Sequence, residues 1–377
     1  MEDSSSREGW VALLGRRDAP TDGVEDYCTY LGRALNGQGV ELRRARVEWA
    51  ERGWGDALRQ LRQESAAWSG RWVLLQYTAL GWSRRGFPFR ALRVLRALRN
   101  GGARVAVVFH EHARQAESRK RWIDRARGAS QDWVVRRLYR GAERCIFADP
   151  LEKISWLPND DTKSVFIPIG ANIPEMVREP ERGTERVGET KAVAVFGVSE
   201  FPSSEREREV SDISRAVHVA AAAGVKLRIA FMGRGTAEAK AAIDQAFRDA
   251  KVEVSILGLL SAEEIAGNLR NSDAMLFVRG RIHSRRGSAI AGIVCGLPIV
   301  GYAGAAEGTP LAEAGLELVP YGDCNSLGEA LGRVLTDANL RRSLRERSES
   351  ARRAHFSWDA IAMAFVQALG PNSKRSV

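Results

Sequence analysis

The chain has 377 residues, 44% of them hydrophobic and 28% charged, with a formal net charge of +10. That length exceeds what one hydrophobic core organises and implies two domains of similar size, while the composition excludes extended disorder. The basic excess leaves nucleic acid, an anionic membrane surface or a phosphorylated small substrate as partner classes, and the widely spaced Cys28, Cys145, Cys295 and Cys324 exclude a disulfide framework or a cysteine zinc site.

The polar, acidic start Met1-Glu-Asp-Ser-Ser-Ser lacks the basic and apolar regions of a signal peptide, so a cytoplasmic location is expected. Short apolar runs then alternate with longer helical patterns. In the first half the runs are Trp10–Leu14, Trp72–Tyr77, Val105–Phe109 and Cys145–Ala148; in the second they are Ala192–Phe196, Leu227–Met232, Val252–Leu257, Ala274–Val278 and Pro298–Tyr302. This rhythm predicts an α/β protein with two doubly wound parallel sheets. Such sheets bind ligands at the carboxyl ends of their strands, so the two Rossmann-like domains are expected to face a central cleft. Ile167-Pro-Ile-Gly-Ala-Asn-Ile-Pro and the charged stretch after it read as the connector. The expected division is residues 1–172, a linker at 173–190, residues 191–355, and a closing segment at 356–377 that crosses back towards the first domain.

Ser288 to Ala306 carries no charge and nearly reaches the length of a membrane span. Its five interruptions, Gly292, Gly296, Pro298, Gly301 and Gly304, predict instead a buried helix, a tight turn and a buried strand.

The order of motifs resembles glycosyltransferase family 4, retaining enzymes of GT-B fold. The resemblance rests on Pro20-Thr-Asp-Gly-Val, Phe109-His-Glu, Ile167-Pro-Ile-Gly-Ala-Asn, Leu257-Gly-Leu-Leu-Ser-Ala-Glu-Glu, Asn271-Ser-Asp-Ala-Met-Leu-Phe, Ser284-Arg-Arg-Gly-Ser, Cys295-Gly-Leu-Pro-Ile-Val and Val319-Pro-Tyr-Gly-Asp. It implies transfer of a hexose from a nucleoside-diphosphate sugar to a hydroxyl of a glycan or lipid-linked acceptor, with no cofactor and no metal. Physically, Arg285, Arg286, Gly287 and Ser288 open a helix, where two guanidinium groups, a hydroxyl and free N–H groups suit a diphosphate leaving group. The bland reading is a serine cap beside two solvated arginines.

The remaining candidates follow from strand ends. Gly23, in Asp22-Gly23-Val24, allows backbone to approach a ligand or simply makes a turn. His110 and Glu111 follow an apolar strand; by resemblance they are the catalytic candidates, with Asp22 and Tyr77 on the acceptor side. His110 with His112 lacks enough further ligands for a metal. Gly197, Gly233, Arg234, Gly258, Leu259 and His283 fall where the resemblance puts nucleotide or sugar. Ser261 with Glu264 also reads as a helix-capping pair.

Two departures stand out. His283 and Ala291 occupy the places of the family's paired glutamates, and no Arg–Lys pair follows the first strand of the second domain, the nearest cations being Arg206 and Arg208. These departures keep open a catalytically silent GT-B scaffold that binds an anionic partner, and less so a GT-B epimerase.

From Arg84 to Arg140 sixteen basic residues face four acids, and Arg93, Arg96 and Arg99 recur on one side of an amphipathic helix. Solvated surface explains this, as does contact with an anionic membrane helped by Trp82, Phe87, Phe89, Trp122 and Trp133. Nucleic acid ranks below a lipid-linked or polysaccharide acceptor, because no dedicated nucleic-acid motif accompanies the arginines.

Overall fold

The computed structural model describes residues 8–19, 21–111, 122–175, 190–304 and 309–370. Pro20, His112, most of the expected linker, Ala306 and the tail after Gly370 lie outside that set. The chain forms two compact units, one running to Pro168 and resuming at Trp358, the other spanning Ile169–Ser357.

In the first unit β1 (Glu8–Leu14), α1 (Gly23–Gly37), β2 (Val40–Arg46), α2 (Trp49–Arg52), α3 (Trp54–Ser65) and β3 (Trp72–Tyr77) are followed by α4 (Ala91–Asn100), β4 (Arg104–Phe109), α5 (Trp122–Gly141), β5 (Arg144–Phe147) and β6 (Ser164–Phe166). All six strands pair in parallel, in the order β2-β1-β3-β4-β5-β6. Strands covered on both faces read as unbroken apolar runs, and every residue of β3 is buried.

The second unit contains β7 (Lys191–Phe196), α6 (Ser203–Ala222), β8 (Leu227–Met232), α7 (Lys240–Ala246), β9 (Glu253–Gly258), α8 (Ala262–Arg270) and β10 (Ala274–Arg281). It continues with α9 (Gly287–Val294), β11 (Ile299–Tyr302), β12 (Leu316–Val319), α10 (Cys324–Thr336) and α11 (Ala338–Ala351). Its parallel order is β12-β11-β10-β7-β8-β9, which read from β9 is the 3-2-1-4-5-6 order of dinucleotide-binding sheets.

The last helix, α12 (Trp358–Leu369), belongs to the first unit. Trp358 packs edge-on against Tyr27 and stacks on Tyr30, both on α1, with ring centroids 5.2 and 5.6 Å apart. At its other end Trp72 Nε1 donates to the Leu369 carbonyl at 2.6 Å, satisfying a buried indole that starts β3. The uncharged run from Ser288 becomes α9, a turn at Gly296 (φ +66°) and β11, all in the interior; among the described residues no helix is long and apolar enough to cross a membrane.

Candidate functional site

In a doubly wound sheet ligands bind where the strand order reverses, outside the carboxyl ends of the two flanking strands. In the second unit that point lies between β7 and β10. The two strands pair only at Val193 with Ala274 and Ala194 with Met275, so they part towards their carboxyl ends. The β10–β11 register also breaks between Phe277 and Arg281, around Gly280 at φ +68°, a local bulge that re-aims the end of β10. The chain after β11 fits against this extension only because position 304 is glycine: a Cβ there would lie 1.9 Å from the Ile282 carbonyl oxygen.

The glycine loops at the ends of β7 and β8 have already used their amides. Gly197 N–H donates to the Met232 carbonyl at 2.7 Å, Val198 N–H to that of Arg234 at 3.1 Å, and Gly233 N–H to that of Gly258 at 2.7 Å. Ser199 gives both its N–H and its hydroxyl to the Glu209 carboxylate, each at 2.7 Å. Glu209 is fully buried on α6; burial raises its pKa, opposed by the two Ser199 hydrogen bonds and by the Arg279 charge. Gly197, Gly233 and Arg234 therefore shape this edge through backbone packing rather than by offering a nest of free N–H groups. Beside them Gly258 (φ +68°) is flanked by the exposed apolar side chains of Leu257 and Leu259.

Across the switch point α9 begins. Arg286 holds the N-cap position with no side-chain capping bond, and Ser284 is buried in the preceding turn, so the serine cap is not formed. The turn closes through Arg286 N–H to the His283 carbonyl at 2.9 Å, while Arg285 N–H donates to His283 Nδ1 at 3.3 Å. That contact folds the His283 ring onto its own backbone and leaves its proton on Nε2. The N–H groups of Gly287, Ser288 and Ala289 form the first turn of α9, which no helical carbonyl can satisfy, and they find no partner among the described residues. A Cβ at Gly287 would meet only Ile169 Cδ1, at 3.9 Å, an ordinary contact, so that turn is not crowded. Ala291, by contrast, is 1% exposed in the apolar core.

The first unit places its candidates differently. Asp22 caps α1, accepting from Val24 and Glu25 N–H at 3.1 Å, and its other oxygen pairs with Arg46 at 3.4 Å. Arg46 also meets Glu25 at 2.9 Å. His110, just past β4, donates through Nε2 to Gln76 Oε1 at 2.8 Å and stands edge-on to Tyr27 at 5.1 Å. The Gln76 amide nitrogen is engaged by the Leu74 carbonyl at 3.3 Å, which leaves Oε1 as acceptor and makes His110 Nε2 the protonated nitrogen. Burial pushes the His110 pKa down to about 4, with the Asp22 charge partly opposing it, so the ring is neutral at pH 7 and presents Nδ1 as an acceptor.

Gln76, a polar residue within an apolar strand, is the positioning group that strand patterning passes over. Glu111 is exposed and accepts from Ala79 N–H at 3.3 Å. Among the described residues no group of three His, Cys, Asp or Glu side chains is placed to hold a metal.

Two expectations need correcting. Tyr77 does not lie on an acceptor surface: it is 1% exposed, packed edge-on against Phe109 in the core, because it belongs to the fully covered central strand β3. Trp82 is no interfacial anchor either; it is 1% exposed and its indole donates to the Gln76 carbonyl at 2.9 Å. The basic helix α4 does keep Arg93, Arg96 and Arg99 exposed, with Phe89, Trp122 and Trp133 also exposed.

No protein-family profile and no curated protein sequence matches the chain. Solved structures do. Sucrose-phosphate synthase from Thermosynechococcus elongatus is 17% identical, with 96% of this chain and 98% of that one covered at a TM-score of 0.64. HepE from Anabaena, in complex with UDP and glucose, is 11% identical over 96% and 99% of the two chains, also at 0.64. A glycosyltransferase from Rickettsia africae is 12% identical over 97% and 100%, again at 0.64. With its two six-stranded parallel sheets and a terminal helix returned to the first unit, the chain has the GT-B fold.

Proposed function

We propose that the chain is a glycosyltransferase that moves a hexose from a nucleoside-diphosphate sugar to a hydroxyl of a glycan or lipid-linked acceptor, with retention of configuration and without a metal ion. The observation that carries the reading is the first turn of α9, whose three N–H groups find no partner among the described residues and, with the adjacent Arg285 and Arg286, stand at the switch point of a GT-B sheet. Breaking a sugar–phosphate bond builds negative charge on the departing oxygen. Preorganised N–H dipoles and guanidinium forks bind that charge more tightly in the transition state than in the ground state, which lowers the barrier. Two fixed guanidinium groups supply the charge that a divalent cation supplies elsewhere. Leu257 and Leu259 offer apolar contact for a base beside Gly258. HepE, of the same fold, is seen with UDP and glucose. Hexose, retention and acceptor class rest on the motif resemblance, and His110 and Glu111 are proposed to act in transfer on the same ground.

The test is incubation with UDP-, GDP- and ADP-hexoses, with nucleoside diphosphate release followed by mass spectrometry and the anomeric configuration of product read by NMR. Release from one donor, unchanged by EDTA, is expected; no release from any donor overturns the enzymatic reading. A silent scaffold is favoured by one observation, the absence of carboxylates at His283 and Ala291, the latter buried in the core. Nucleotide binding without donor breakdown distinguishes it.

On the first unit the exposed Arg93, Arg96 and Arg99, with Phe89 and Trp133, suit a peripheral contact with anionic lipid. Co-sedimentation with phosphatidylglycerol vesicles, lost when the three arginines become glutamine, is the expected result.

A further inference from the structure

The sequence holds no Arg–Lys pair after the first strand of the second unit, and the nearest cations by position are engaged elsewhere. Arg206 donates to the Glu200 carbonyl at 2.9 Å, and Arg208 pairs with Glu205 and Asp212. The amides of Gly197, Val198 and Ser199 are spent within the protein, so these three offer no backbone donor to an anion. The end of β10 provides a cation instead. A Cβ on Gly197 would lie 2.9 Å from Arg279 Nη1, and Gly197 itself sits at φ +80°, so the guanidinium crosses from β10 to cover the end of β7. Arg279 Nε has no hydrogen-bond partner among the described residues. One residue on, a Cβ at Gly280 would lie 3.1 Å from Arg286 Nη2. Glycines at 197 and 280 thus leave room for two guanidinium groups over the backbone on either side of the parted strands.

We infer that Arg279 is a phosphate-binding residue, completing with Arg285 and Arg286 a three-arginine cradle for the diphosphate and replacing, from β10, a cation that the strand β7 loop lacks. The inference deepens the donor reading and rests on it for the nucleotide, but the cradle binds a diphosphate whatever is attached to it. Glu209, the buried acid near Arg279, gives its two oxygens to Ser199, and no hydrogen bond joins it to the guanidinium among the described residues.

The test is calorimetric titration with inorganic pyrophosphate and, separately, with UDP, GDP and ADP. Arg279→Gln is expected to weaken pyrophosphate about 10- to 100-fold, the loss of one or two charge-assisted hydrogen bonds, with far-UV circular dichroism and melting temperature unchanged. Gly197→Ala keeps the charge but puts a methyl where the guanidinium lies, and is expected to weaken pyrophosphate in the same direction. Wild-type affinity in Arg279→Gln overturns the inference. So does wild-type affinity in Gly197→Ala if the first variant fails to fold, or absence of pyrophosphate binding by the wild type. Pyrophosphate binding sensitive to Arg279, with no nucleoside diphosphate bound, upholds the cradle and overturns the nucleotide-sugar reading alone.

Discussion

The two units reverse their strand order at comparable places and fill those places in opposite ways. In the first, the reversal lies between β1 and β3, and protein closes it. A Cβ at Gly15, just after β1, would stand 2.2 Å from the Gly81 carbonyl oxygen, which accepts from Arg16 N–H at 2.8 Å and Trp49 Nε1 at 3.0 Å. In the second, between β7 and β10, the strands part, and guanidinium groups and helix N–H groups with no partner among the described residues stand there instead. Topology offers a ligand site at both points, and the two are filled differently. The first unit moves its polar groups outward, to Asp22 at the start of α1 and His110 at the end of β4.

Breaking the plug gives the largest effect. Gly15→Ala sets a methyl against a carbonyl oxygen fixed by two hydrogen bonds, and we expect a loss of about 3 kcal/mol in urea-monitored stability. A change below 1 kcal/mol would show that the β1–β3 edge is loosely filled.

Next comes His110. Its imidazole stays neutral in the fold down to about pH 4, whereas the unfolded ring protonates near 6.5. Between those values the unfolded state binds more protons, so stability falls as pH falls, by at most about 3 kcal/mol for a partly exposed ring. His110→Asn should flatten that part of the stability–pH curve; an unchanged slope assigns it to other groups.

Gln76→Glu sharpens the same region. A carboxylate facing His110 Nε2 should raise the imidazole pKa by roughly 1 to 3 units in an NMR titration. A pKa left near 4 would mean that the 2.8 Å contact does not set the tautomer.

At the open switch point the contrast is a small effect. Gly287→Ala adds a methyl in ordinary contact with Ile169 Cδ1 in the first turn of α9, and should leave stability unchanged or raise it by up to about 1 kcal/mol. A loss comparable to that of Gly15→Ala would erase the difference between the two edges.

What the sequence made legible follows from burial. The covered strands β3, β4, β7 and β10 carry long apolar runs, broken in β3 only by Gln76, and α9 with its turn and β11 declared itself through Gly296 and Pro298. The strands that sequence patterning passes over, β2, β6 and β12, all lie at sheet edges. There one side is solvated, and a segment such as Val-Glu-Leu-Arg-Arg-Ala-Arg over 40–46 carries no apolar run. Arg279 was hidden for a related reason: it follows the apolar run Ala274–Val278 within β10, and only the bulge at Gly280 and the glycine at 197 bring its guanidinium to β7. Tyr77 shows the converse, since a residue that closes a strand looks like a surface group until the neighbouring strand covers it. Ser261 and Glu264, read as a capping pair from spacing alone, do form a reciprocal capping box at α8.

The contrast between the two edges turns on whether the open one binds a diphosphate. Titration of UDP, GDP and ADP into the wild type and into the Arg285→Ala, Arg286→Ala double variant measures this directly. A clamp built from these arginines and the first turn of α9 gives wild-type binding of at least one nucleotide, weakened about 100-fold or more in a double variant that melts as the wild type does. Equal affinity in the two proteins, or no binding by the wild type, would contradict it.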